Sequence, residues 1–315
     1  MRISKLIIII SIASVIGCKE KKAEQFTALP FPNVVAPSML QDRQEIAEYM
    51  AEHWWDGLTD PQRSYPCDST LVSGVSRVEV EQKFANWTVV LGAVDYDHAV
   101  KSVVRLFDRV VACERKDTAS NVFESMTSIA ESYLYDPNSP MRNEDFYGPY
   151  LERLAQCEYV DEGMRQAYAF DAKMCALNRT GTKATDFRFS DSSGRIRRLY
   201  DIKADNIILF FSNPGCKACL DIINTLKSMP VVTEGVASGR LAVLNIYIDE
   251  DLEAWKEYMP IYPEVWYNGY DPDYVIRTDV LYNVRAIPSL YLLDKDKKVI
   301  MKDAPENRLF DWLSK

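Results

Sequence analysis

From Asp42 to about Asn178, apolar positions return every three or four residues, the spacing of helices with one buried face. In "DRQEIAEYMAEHWWDGL" that face is Ile46, Tyr49, Met50 and His53 or Trp54, and in "VKSVVRLFDRVVACE" it is Val103, Leu106, Val110 and Cys113. Further stretches align Val122, Met126 and Ile129, then Tyr150, Leu154 and Cys157, then Met164, Tyr168, Ala172 and Cys175. About six helices are expected, with Pro137 and Pro140 punctuating the fourth and fifth and "NRTGTKATD" closing the region as a linker. The period then changes. "DFRFSDSSGRIRRL" alternates about a Ser-Ser-Gly turn, a hairpin pattern, and "NIILFFS" is a short buried strand. It runs straight into the helical "CKACLDIINTLKSM". "RLAVLNIYID" is a second strand, and "AIPSLYLLDKDKKVIM" reads as two more around a charged turn. Pro305 opens a last helix, "PENRLFDWLSK", at a position that tolerates proline. The pattern is α + α/β: an all-helical domain over 38–178 and an α/β domain over 179–315.

The first residues carry a different signal. Arg2 and Lys5 precede an apolar run from Leu6 to Ile16, followed by Gly17 and Cys18. This is the build of a secretory signal, too short and wrongly flanked for a spanning helix. Val15-Ile16-Gly17-Cys18 resembles the lipobox of bacterial lipoproteins, which implies cleavage after residue 17 and a lipid on Cys18; the alternative is an ordinary signal with a chance cysteine. Residues 18–37, charged and then proline-rich, read as a tether from that lipid to the folded body. The formal charge of −9 becomes more negative once Arg2 and Lys5 are removed, and it argues against a nucleic-acid partner.

Cys216 and Cys219 stand three residues apart where a strand gives way to a helix. A Cys-x-x-Cys pair at such a junction reads as redox-active. The amides and dipole at a helix start favour thiolate over thiol, so Cys216 is the nucleophile, partly exposed. Cys219, one turn deeper, is sheltered and in reach of any mixed disulfide formed on Cys216. Lys217 adds a nearby cation, which Asp221 partly opposes. Zinc would need four ligands, and one Cys-x-x-Cys with His53 and His98 far upstream does not supply them. A purely structural bridge across so small a loop would constrain the unfolded chain little. Of the remaining cysteines, Cys113, Cys157 and Cys175 fall on apolar helical stripes and read as core residues, with structural disulfides that include Cys67 as the alternative.

The order strand, helix, strand, hairpin, helix resembles the thioredoxin fold. Segments such as "HWWDGLTD", "SYLYDPNSPMRNEDFYGPYLERL", "LYDIKADNIILFFSNPGCKAC", "WYNGYDP" and "VRAIPSLYLLDKDKKVIMKDAP" are similar to a family of Gram-negative lipoproteins. Its members join a helical domain of unknown function to a TlpA-like thioredoxin domain. By position alone Pro288 is a strand-start proline in an ordinary trans bond. The resemblance implies instead a cis-proline beside the cysteines, with Ile287 offering backbone groups to a bound substrate chain.

It also implies thiol:disulfide oxidoreductase activity, reduction favoured, on polypeptides carrying disulfides or thiols. A separate thiol donor would supply electrons, with no metal, flavin or nucleotide. The expected location is the cell envelope, on the periplasmic side of the outer membrane, with the cell surface or the inner membrane as alternatives. One departure stands out. Phe210, six residues before Cys216, occupies the position where thioredoxin has a buried acid, so the proton acceptor is not identified by analogy.

The aromatic-rich stretch from Trp255 to Val284, with Trp255, Tyr258, Trp266 and Tyr270, reads as core cover and ordering of a long insertion, or as a groove for a polypeptide. "HWWDG" carries the same two readings, with packing favoured for His53. The competing function is a binding or scaffold lipoprotein whose thioredoxin domain is vestigial.

Overall fold

The computed structural model describes residues 27–65 and 68–315, so the signal segment, Cys18 and Cys67 lie outside the described residues. Six helices occupy the first half: α1 (Arg43–His53), α2 (Arg77–Leu91), α3 (Tyr96–Lys116), α4 (Val122–Leu134), α5 (Glu144–Leu154) and α6 (Glu162–Ala176). Short polar side chains cap four of them. Asp42, Asp95, Asn143 and Asp161 accept first-turn amides that would otherwise lack partners. The expected stripes are buried on α3 and α4, while Met164 at the start of the α6 stripe is exposed. Phe84, Trp87, Leu106, Val110, Met126 and Tyr150 form the centre of this core. The pattern did not anticipate a small antiparallel hairpin, β1 (Leu71–Val72) with β2 (Val75–Ser76).

The expectation of a tether reaching residue 37 is corrected at Leu29 and Phe31. The Leu29 amide donates to the Gly74 carbonyl at 2.7 Å, and Phe31 is buried edge-on against Trp55. An apolar ring with a core to enter does not stay in solvent. Gly57 permits the approach, since a Cβ there would meet the Pro32 ring at 2.7 Å.

The second half is built on one seven-stranded sheet. Its strands are β3 (Arg188–Asp191), β4 (Ile196–Arg198), β5 (Asn206–Phe211), β6 (Leu241–Tyr247), β7 (Tyr267–Tyr270), β8 (Ser289–Asp294) and β9 (Val299–Met301). The order is β4-β3-β7-β6-β5-β8-β9, with β6 parallel to β5 and β7 and every other pairing antiparallel. The helices are α7 (Lys217–Ser228), α8 (Pro230–Ala237), α9 (Leu252–Tyr258), α10 (Val275–Thr278) and α11 (Glu306–Leu313). The unbroken apolar run of β5 follows from its central place. Ile208 and Phe210 face the core that contains Cys219 and Leu309, while Ile207, Leu209 and Phe211 face a second core with Phe187 and Tyr282.

Strand β7 was not anticipated. It lies inside the aromatic insertion, where Trp255 and Trp266 are buried in the core. Among the described residues no helix is long and apolar enough to cross a membrane.

Candidate active site

Strand β5 ends at Phe211, and the chain turns through Ser212-Asn213-Pro214-Gly215 into α7. Gly215 has φ +73°, a left-handed conformation that costs a side-chain-bearing residue. The turn sets Cys216 at the N-cap of α7, where its Sγ accepts a hydrogen bond from the Cys219 amide at 3.1 Å. Here a sulfur stands where helices usually carry a serine or aspartate oxygen. Cys216 is half-buried and Cys219 is sealed at 0% exposure, and the two are joined as a disulfide. Lys217 is 89% exposed and its ammonium lies 2.9 Å from the Asp221 carboxylate, so its charge is largely met within α7.

Behind the turn, Phe210 shares the Cys219 core. A neutral buried network lies two residues on: the Ser212 hydroxyl donates to Asn245, and the Tyr262 hydroxyl lies 3.4 Å from the Ser212 oxygen. Burial pushes the Tyr262 phenol above its ordinary range. The Asn213 side chain, on the turn itself, donates to Asp249, which Arg277 also engages.

The Ile287–Pro288 bond is cis, as the resemblance implied. Pro288 and Ile287 line one groove with Ala218 and Ile222, on the helix that Cys216 opens. Ile287 and Cys216 pack against the same core as Cys219. The amide and carbonyl of Ile287 make no hydrogen bond among the described residues. The four sequence-derived residues Cys216, Cys219, Ile287 and Pro288 thus gather where β5 ends and β8 begins, at one end of two neighbouring interior strands.

Sequence reasoning missed the groups that hold the proline loop. Glu144, in the first turn of α5, accepts on Oε1 from Arg285 Nε and Asn283 Nδ2, each at 2.9 Å, and its Oε2 pairs with Lys302 at 2.7 Å. Glu144 and Lys302 side chains are each 2% exposed. Arg285 also donates to the Tyr135 carbonyl, and its guanidinium lies 3.8 Å from the centre of that ring. Asp303 joins this node by accepting from the Ser289 hydroxyl at 2.7 Å, directly after Pro288. Burial pushes Asp303 up to about 6, with Glu144 adding to the rise and Arg142, Ser289 and Arg285 opposing it.

Elsewhere, Cys113, Cys157 and Cys175 are free and buried, and burial raises the Cys113 and Cys175 thiols. His53 hydrogen-bonds Asp56 at 2.8 Å, beside Arg105. Glu48, Asp95 and His98 bring ligand-type atoms within 4.8 Å of one another. His98 Nδ1 already meets Asp95 at 2.7 Å, however, and its Nε2 faces Glu48 at 3.5 Å, so an ion-pair cluster at the start of α3 accounts for them.

A family model described as a domain of unknown function, DUF5106, matches residues 14–178. The crystal structure of a thioredoxin-like protein from Bacteroides caccae is 33% identical, covers 91% of this chain and 99% of its own, and superposes with a TM-score of 0.77. The C-terminal domain of an uncharacterized protein from Bacteroides fragilis is 44% identical over 44% of this chain and 99% of its own, at a TM-score of 0.42. A thiol:disulfide interchange protein from a Bacteroides species is 20% identical over 43% of this chain and 91% of its own, at a TM-score of 0.36. Among curated proteins nothing matches the chain. The Bacteroides caccae match spans both halves of the molecule, and with the family-model match it assigns the chain: it belongs to the DUF5106 family and is a thioredoxin-like protein.

Proposed function

We propose that the chain is a thiol:disulfide oxidoreductase acting on polypeptides, with reduction as its working direction. The observation that carries this reading is the Cys216 sulfur at the mouth of α7, accepting the Cys219 amide at 3.1 Å while Cys219 waits, buried, one turn deeper. A thiolate at that position receives the amide and the positive end of the helix dipole.

In the reduced protein, the Cys216 thiolate attacks one sulfur of a partner disulfide. The Cys216–partner bond forms, and the partner's other sulfur leaves as a thiolate and takes a proton from solvent. Cys219, deprotonated to water or a nearby base, attacks Cys216, and the second partner thiol departs. The partner gains two electrons and two protons, and the chain is left with the Cys216–Cys219 bond. A separate dithiol donor, of the same chemical class, restores it by the reverse exchange. Pro288 shapes the site, Ile287 offers backbone groups to the substrate, and the dithiol serves as its own redox cofactor. A lipid on Cys18 would hold this domain at the envelope, on the periplasmic side of the outer membrane.

The test uses Cys219→Ser, which leaves Cys216 without its resolving partner. Reducible adducts captured on Cys216, together with a measurable two-electron potential for the unmodified protein, support the reading and identify substrates. A pair that stays oxidised in every physiological thiol buffer, with nothing captured, would point to the scaffold function.

A further inference from the structure

The groove beside Pro288 has a wall that comes from outside the thioredoxin-like half. It encloses about 380 Å³, and Pro137, Asn138 and Arg142, from the connection between α4 and α5, line it together with Ala218, Pro288 and Phe310. Arg142 is nearly buried, and its guanidinium is spent on the far side of the interface. Its Nε and Nη2 donate to the carbonyls of Asp303 and Ala304, each at 3.0 Å. Two residues on, Glu144 grips Asn283 and Arg285, which lead into Ile287 and Pro288. One short segment of the helical domain therefore both lines the groove and fastens the proline loop.

We propose, resting on the exchange reading above, that the helical domain is the substrate-reading part of the site. Arg142 and Glu144 are positioning residues for the Ile287–Pro288 loop, and Pro137 and Asn138 touch the substrate chain itself. The occupant is an extended polypeptide segment flanking the target disulfide. The unpaired amide and carbonyl of Ile287 call for an extended strand, which satisfies a donor and an acceptor together. Charge sets the flanking residue. Asp221 is already met by Lys217 and Arg142 is spent, whereas Glu306 on the same groove has no ion pair among the described residues. A basic residue beside the target cysteine complements it.

The full chain is tested with Asn138→Trp, which fills the groove from an exposed loop, and with two disulfide peptides that differ only in carrying Lys or Glu beside the cysteine. Rates are read against a small aromatic disulfide, an internal standard too small to reach the wall. The peptide-to-standard rate ratio is expected to fall about tenfold in Asn138→Trp. The Lys peptide is expected to react about threefold faster than the Glu peptide at low salt, a preference that vanishes in Glu306→Gln. An unchanged ratio in Asn138→Trp, or equal rates for the two peptides, overturns the proposal while leaving the exchange chemistry standing. An unmodified protein inert toward all three disulfides overturns the exchange reading itself, and this inference with it.

Discussion

Arg285 Nε stands 2.9 Å from Glu144 Oε1, and this pair ties the loop entering Pro288 to the first turn of α5, 141 residues away in sequence. Glu144 also faces Lys302 and Asn283, so one carboxylate is shared by two cations in a buried node that joins both halves of the molecule. Removing one partner of a buried pair leaves the other's charge uncompensated, at a cost of about 3–5 kcal/mol. Glu144→Ala is expected to lose that much stability in urea unfolding. A loss below about 1 kcal/mol would show that the node does not bind the two halves.

Asp303 makes the same interface pH-dependent. Its unfolded value is near 3.8, and burial pushes it up to about 6 in the fold. Folding therefore favours the protonated acid. The contribution is full below about pH 4 and is lost as pH rises through about 6, roughly 3 kcal/mol over the window. Asp145, also raised by burial, acts in the same direction. Asp303→Asn keeps an acceptor for Ser289 and removes the titration. The stability difference between unmodified protein and variant, read from urea unfolding, should then change by about 2 kcal/mol between pH 4 and pH 7. A difference that stays flat with pH would exclude Asp303 as the titrating group.

Exposure ranks the cysteines once the protein is reduced. Cys216 is half-buried, Cys219 is sealed, and Cys113, Cys157 and Cys175 lie inside the helical core. Reactivity follows thiolate character and access together. Brief iodoacetamide treatment, mapped by mass spectrometry, is expected to label Cys216 at least about tenfold faster than the other four cysteines among the described residues. Equal labelling of Cys219 would contradict its role as the sheltered partner.

What could be read from the sequence was local. The β5 run, the cysteine pair and the helix after it are adjacent residues whose period changes where the structure changes, and all three stand as expected. Strand β7 was hidden because Asn268-Gly269 looks like a turn. Gly269 is there for another reason: a Cβ would come within 2.6 Å of the Phe189 ring across the sheet. Phe31 looked like tether because only the folded Trp55 gives it a place to pack. The node of Glu144, Arg285, Lys302 and Asp303 was invisible, since each residue alone reads as a solvated charge and the partners come from distant segments.

The last expectation separates two sources of thiolate stabilisation that the sequence could not rank. Lys217 follows Cys216 directly, yet its ammonium extends into solvent and pairs with Asp221 at 2.9 Å, whereas the Cys219 amide points at the sulfur from 3.1 Å. An exposed charge already met by a carboxylate is worth little at a neighbouring group, while a fixed amide in contact with the sulfur at a helix start is less screened and not mobile. Lys217→Ala is therefore expected to change the exchange rate with a small disulfide by less than about threefold at ordinary salt, with little dependence on ionic strength. A drop beyond about tenfold in the variant, with a rate that rises at low salt in the unmodified protein alone, would transfer the activation of Cys216 from the helix to the lysine.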